Sequence, residues 1–328
     1  MIDFYKINLQ LFANPNTNVT TDEGLSDENK LHYDMTLIDE ASPNLIHDQF
    51  GQKRPIPQNG GKHINFRKFA SLPKALTPLT EGVTPDGKKL EVSSIEAEVS
   101  QYGDYVVMSD ILDLTAIDPV VVEATKVIGR QAGLTLDTIT RNALHAGNNV
   151  YYAPKSSGAA VDSRSGLDNT CLLTVDVVRR VAAILKANNA PKIDGSYVAI
   201  IHPFAAYDLM SDKEWQYPHQ YQNTENIYEG EIGKIAGVRF VESSEAKIYD
   251  NGVFGTLFIA DGAYGVTEIT GGGLETIIKQ KGSAGTADAL NQRSSVGWKA
   301  TKTAEILVEA YLMRVEHKSA FSGDVEAN

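Results

Sequence analysis

The chain has 328 residues, 42% of them apolar and 22% charged, enough for a sizeable folded core and against disorder over most of its length. Its formal charge of −12, from 30 Lys and Arg against 42 Asp and Glu, disfavours a protein that binds nucleic acid through a general basic excess. The single cysteine, Cys171, excludes an internal disulfide and any cysteine-built zinc site.

Residues 1–13 carry Asp3 and Lys6, and their apolar patch (Leu9, Leu11, Phe12) is too short for a signal-peptide core. No run approaches 18 uncharged apolar residues, so the expectation is a soluble chain with no membrane span. Residues 13–30 are polar and acidic and read as an arm that needs a partner to hold it. Ser26 is a candidate N-cap for a helix with Leu31, Met35, Leu37, Ile38 and Ala41 on one stripe. Pro43 interrupts it, and Leu45, Ile46 and Phe50 predict a further short helical turn.

Residues 53–89 hold five of the 12 prolines and predict extended, edge-like chain. A strand over Lys62–Phe69 leads to the turn Thr84-Pro85-Asp86-Gly87, then to one or two strands over Leu90–Met108. A change of phase between Val92 and Ile95 predicts a bulge. Together these form a protruding two-stranded loop, which should lie against something because isolated hairpins are marginal in water.

Asp118 and Pro119 open the strongest helix signal, an N-cap followed by proline at the first position, running unbroken to Gly147. Val121, Ala124, Ile128, Ala132, Ile139 and Ala143 recur at helical spacing. Gly129 and Gly133 share a face and either admit another backbone or are simply tolerated.

Thr174 predicts the cap of a helix over Val175–Ala187, Tyr197–Ile201 a buried strand, and Pro203 the start of a helix to Met210. A loop with Trp215, Tyr217, Tyr221 and Tyr228 follows. Between Gly230 and Gly297 lie 13 of the 27 glycines, punctuating strands at Ile232–Val241, Phe254–Ala260, Gly265–Ile269 and Leu274–Lys279. Ile306–Val315 is the last predicted strand. No period of 20 to 50 residues repeats, and the fold class is α+β.

No phosphate loop, dinucleotide fingerprint, nucleophile elbow or H-E-x-x-H motif occurs. The seven histidines stand singly, so no metal site, catalytic residue or cofactor is assigned. His202, before Pro203 at a strand end, is the best candidate imidazole for a hydrolase, although a lone histidine there is ordinarily a cap or core residue. The aromatic loop is acidic overall, through Asp212, Glu214, Glu225 and Glu229, which favours a protein contact over base stacking.

Residues 53–89 carry a net charge of +6, leaving −18 on the rest. A basic extended arm on an acidic body suits assembly of identical copies, each arm lying on its neighbour; a solvated charged loop is the alternative. Candidate contacts are Lys62, Arg67, Lys68, Lys74, Lys88 and Lys89, with Trp215, Tyr217 and Tyr221 from the aromatic loop.

The opening INLQLFA (Ile7–Ala13) resembles the start of many phage and prophage structural proteins. The run from Leu79 to Leu144 (LTEGVTPDGKKLEV…TITRNAL), with IIHPFAAYDLM (Ile200–Met210) and GEIGKIAGVRFVES (Gly230–Ser243), resembles major capsid proteins of the coliphage N-four type. The resemblance implies a Hong Kong 97-type capsid fold. Residues 1–52 would be an N-terminal arm and 53–108 an extended β-hairpin loop. Residues 109–173 and 291–328 would form a peripheral domain with a spine helix at 119–146, and 174–290 an axial domain with a mixed sheet.

The resemblance further implies a non-enzymatic subunit forming hexamers and pentamers in an icosahedral shell around double-stranded DNA. A portal protein would be its partner, with decoration proteins as a possible addition and a separate scaffolding protein, or none, directing assembly, in a virion assembled in the host bacterial cytoplasm. The chain lacks the long helical N-terminal extension of the founding member, and that member's Lys–Asn cross-link finds no matching residues. An encapsulin-like cellular nanocompartment shell is the alternative within this fold, and the hydrolase using His202 is the alternative outside it.

Overall fold

The computed structural model describes residues 37, 41, 45–55, 62–69, 72, 74–79, 81–82, 84, 86–115, 120–215, 233–267, 274–283, 288–323 and 325–328. Leu37 and Ala41 are helical and buried, whereas residues 47–50 form a turn where a short helix was expected. Strand β1 (Gln52–Arg54) follows, unpredicted by its polar sequence, and runs parallel to Gly265–Thr267.

The protruding ribbon is β2 (His63–Phe69) paired antiparallel with β3 (Val92–Glu98), His63 opposite Glu98 and Phe69 opposite Val92. The expected bulge between Val92 and Ile95 is absent, for each residue of β3 there pairs one-to-one with β2; at Val99 the backbone N–H donates to the Lys62 carbonyl at 2.8 Å and closes the base of the ribbon. The chain continues as β4 (Ser100–Ser109), a short helix α1 (Asp110–Thr115) and the long helix α2 (Val120–His145). The Asp118–Pro119 start lies outside the described residues.

Beyond β5 (Val150–Tyr152) comes α3 (Val175–Ala187), capped by Thr174, whose hydroxyl accepts from the Val177 N–H. Next are β6 (Tyr197–Ile201) and α4 (Pro203–Ser211). The single strand expected over Ile232–Val241 is a tight hairpin, β7 (Lys234–Ile235) and β8 (Val238–Glu242). Ala236 and Gly237 turn it with φ of 52° and 85°, the pair of left-handed residues such a two-residue turn requires. Then follow β9 (Ile248–Tyr249), β10 (Val253–Ile259), β11 (Tyr264–Thr267) and β12 (Leu274–Lys279). The ten-residue β13 (Arg293–Lys302) was not expected. The last predicted strand is two, β14 (Ala304–Ile306) and β15 (Leu312–His317).

The largest sheet has the order β5-β15-β10-β6-β8-β7 with β9 on β10, and mixes parallel and antiparallel pairs. Every residue of β6 and β10 is buried, because both faces are covered. Ala199, Ile201 and Phe258 face Val177, Val178, Val181 and Leu185 of α3. Ile200, Leu257 and Ile259 face Leu144 at the end of α2 and Tyr264 of β11. Each fully buried aliphatic side chain contributes about 1.5–3 kcal/mol.

A second sheet, β12-β13-β4, lies under α2. Ile128, Ala132 and Leu136 pack on Met108, Val296, Trp298 and Ala300. A third joins β1, β11 and β14. Among the described residues no helix is long and apolar enough to cross a membrane.

Candidate assembly surface and its anchors

The ribbon exposes what the sequence put forward as contacts. Lys62, Arg67, Lys74, Lys88 and Lys89 are exposed, as are the apolar Leu72, Leu76, Leu79, Leu90 and Val92. Lys68 occupies β2 opposite Ser93. Trp215 belongs elsewhere: at 4% exposure it packs edge-on against Phe240 within its own subunit's core. Tyr217 and Tyr221 lie outside the described residues.

The ribbon is held by one aromatic plug. Phe66 is fully buried, joined by Ile64, Ala97, Val99 and Leu307 in a small separate cluster. Its ring lies over Gly265 of β11, where a Cβ would come within 2.3 Å of the ring. Glycine is there because an aromatic side chain of the ribbon takes the space. Periodicity offered Phe66 as a strand residue but gave no sign of its seat, 199 residues away in sequence.

The N-terminal segment is held on α2. Gly133 faces the Ala41 backbone so closely that a Cβ would sit 2.5 Å from its carbonyl oxygen. Further along, the His47 N–H and Nδ1 each lie 2.7 Å from an oxygen of Asp137. The Thr140 hydroxyl donates to Asp48 Oδ1 at 2.6 Å, and Lys302 Nζ of β13 contacts Asp48 Oδ2. The Tyr264 hydroxyl donates to the His47 carbonyl. His47, Asp137, Thr140 and Lys302 are fully buried. Burial pulls the Lys302 ammonium down from its ordinary range against the attraction of Asp48.

A second polar cluster ties the end of α2 to the large sheet. Glu316, wholly buried, accepts both Arg164 Nε and Nη2 at 2.6 Å. Arg314 Nε lies 3.0 Å from the same carboxylate without aligned hydrogen-bond geometry. Arg164 also stacks on Tyr249, 3.6 Å from the ring centre, and the Tyr249 hydroxyl meets His145 Nδ1 at 2.9 Å. Burial and the neighbouring cations hold the His145 imidazole well below its ordinary range. Sequence reasoning missed both clusters, since His47, Asp137, Arg141 and Glu316 fall on no apolar stripe.

His202 is a cap. Its Nδ1 accepts the Phe204 N–H at 3.2 Å at the start of α4, and its ring packs on Phe204 and Phe254. With Nδ1 accepting, a neutral imidazole carries its proton on Nε2 and has no free base nitrogen to offer a substrate. Among the described residues no group of three or more His, Cys, Asp and Glu could hold a metal ion.

Residues 114–272, just under half of the chain, match the family model described as phage capsid protein. Solved structures match over most of the chain. The capsid of cyanophage P-SCSP1u superposes with a TM-score of 0.64 at 14% identity, covering 84% of this chain and 89% of that one. A capsid subunit of cyanophage Pam1 gives 0.62 at 13% identity, covering 98% of this chain and all of its own. The fold is that of phage capsid proteins. The α+β capsid fold that the resemblance implied is therefore the fold this chain has. A virus-like particle from Pyrococcus furiosus shares it more distantly, with a TM-score of 0.52 at 9% identity over 88% of this chain and 99% of that one. None of the curated proteins matches the sequence.

Proposed function

We propose that this chain is the major capsid protein of a tailed phage, a structural subunit without catalytic function that closes into an icosahedral shell around double-stranded DNA. The observation that carries the reading is the family match over residues 114–272 on a capsid fold. The nanocompartment alternative has weaker support, because the family model that matches residues 114–272 is described as phage capsid protein.

The finer assignment is to the Hong Kong 97-type fold and the coliphage N-four type. The ribbon is the extended loop, α2 the spine helix of the peripheral domain, and the segment from 174 to 290 the axial domain. Residues 1–52 are the arm, and residues 109–173 and 291–328 complete the peripheral domain. Lys62, Arg67, Lys68, Lys74, Lys88 and Lys89 contact a neighbouring copy within hexamers and pentamers. With a charge of −18 outside residues 53–89, the body repels DNA, so packaging needs a motor acting through a portal. A separate scaffolding protein directs assembly in the host cytoplasm, and the mature virion carries the subunit with any decoration proteins.

Negative-stain electron microscopy of the purified chain tests this. Closed shells, tubes or rings of five and six are the expected products, and DNA inside shells from infected cells separates a virus from a compartment. A monomer that fails to assemble even with its cognate scaffolding protein would overturn the reading.

A further inference from the structure

We propose that Lys302 and Asp48 become joined by an intrachain amide bond, which fastens the N-terminal segment covalently to β13. The two side chains already touch: Nζ of Lys302 contacts Oδ2 of Asp48, and the residues are 0% and 5% exposed. They come from opposite ends of the chain, 254 residues apart.

Three features of the site suit condensation better than a lasting ion pair. First, a buried ammonium and carboxylate are both expensive to keep ionised; burial lowers the proton affinity of Lys302, toward the neutral amine whose nitrogen has a free lone pair. Second, the Thr140 hydroxyl donates at 2.6 Å to Oδ1, the oxygen that would remain as the amide carbonyl, and so supports the negative charge it carries in the tetrahedral intermediate. Third, a second buried carboxylate, Asp137, is near enough for its charge to act on Lys302, and His47 holds it in place through two contacts. Ile46, Phe50 and Tyr264 pack in the neighbouring apolar cluster, which limits the access of water.

The step balances within the chain. The Lys302 proton passes to Oδ2 as Nζ attacks Cγ of Asp48 and forms the C–N bond. A proton leaves Nζ by way of Asp137 and returns to the Oδ2 hydroxyl, the Cγ–Oδ2 bond breaks, and one water departs. No oxidant, reductant or activated co-reactant is needed. Effective molarity between groups already in contact takes the place of activation.

The full chain, purified and denatured, is weighed by intact mass spectrometry and then digested with trypsin. The expected result is a chain lighter by one water, in which residues 31–53 remain attached to a peptide spanning 300–314 because trypsin no longer cuts after Lys302. Asp137→Asn, with Lys302 and Asp48 intact, is expected to slow the mass loss at least tenfold in freshly made protein. A chain of full sequence mass, cut normally after Lys302, would mean an ion pair only and would overturn the proposal. A water lost elsewhere, seen as a free peptide 31–53, would overturn it equally.

Discussion

Replacing Phe66 with alanine should free the ribbon while leaving the body folded. Phe66 and Ile64 supply nearly all the large buried apolar surface at the ribbon's base, about 3–6 kcal/mol by area. Losing a buried phenylalanine typically costs about 3–5 kcal/mol, comparable to the whole of that anchor. The three main core clusters do not include Phe66, so the loss is local opening of β2 and β3 and not global unfolding. Hydrogen exchange on unassembled subunits reads this directly: amides of residues 63–69 and 92–98 should exchange on the order of a hundredfold faster or more, with β6 and β10 unchanged. The mirror experiment is Gly265→Ala, whose added methyl group must expel the ring it would meet at 2.3 Å. If the seat is what matters, the two substitutions together should cost less than the sum of each alone. Unchanged ribbon exchange in Phe66→Ala, or strict additivity of the pair, would refute the plug.

Gly133→Leu should destabilise the subunit although leucine is the better helix former. The propensity gain of about 1 kcal/mol is outweighed by an Ala41 backbone that must move, a cost of about 1–3 kcal/mol, and urea denaturation gives the sign. Glu316→Gln removes the wholly buried carboxylate shared by Arg164 and Arg314 and should lower stability by roughly 3 kcal/mol in the same assay, mostly through the half-buried Arg314. Acid should weaken the subunit through His317, whose imidazole is fully buried between the Thr256 hydroxyl and the Lys318 carbonyl and held down at about 4. Because the folded value lies below the unfolded one near 6.5, its contribution is complete above that pH. About 3 kcal/mol is then lost as pH falls to 4, a slope that His317→Gln should flatten in denaturation measured across that window. Neutralising Lys62, Lys68, Lys88 and Lys89 together should raise the concentration needed for shell formation; shells equally stable at low and high salt would remove the electrostatic role.

What the sequence disclosed and what it concealed divide along physical lines. Elements set by local signals are close to expectation. Thr174 caps α3 at its predicted bounds, β6 covers its five predicted residues, and β12 matches at both ends. Elements set by distant partners were hidden. β13 reads RSSVGWKATK, too polar and glycine-broken to stand out, and is a strand because β4 and β12 flank it. β1 is polar and exists because β11 offers it an edge. For α2, Val121, Ala124, Ile139 and Ala143 were expected inside, yet they are half-buried while Asp137, Thr140 and Arg141 are more deeply buried. The ribbon's basic face was legible because exposed charge is a local property. Its aromatic seat was not, since glycine at 265 carries no hint of what lies above it.

The polar side of α2 bears on how such a subunit can work. Apolar contacts are non-directional and would let a 26-residue helix slide or rotate against its sheet. The contacts made by Asp137 to His47, Thr140 to Asp48, Arg141 to the Glu245 carbonyl and His145 to Tyr249 are directional and reach two separate stretches of chain. The four helix residues are buried, so a helix displaced by one turn would strand several polar groups at about 1–3 kcal/mol apiece. That penalty selects one register far more sharply than hydrophobic packing alone. A shell built from many copies closes only if every copy presents its ribbon and its receiving face at the same relative angle. The ribbon leaves the body at Val99, directly ahead of the sheet on which α2 lies, so an error in the seating of that helix would be carried outward to the ribbon's tip.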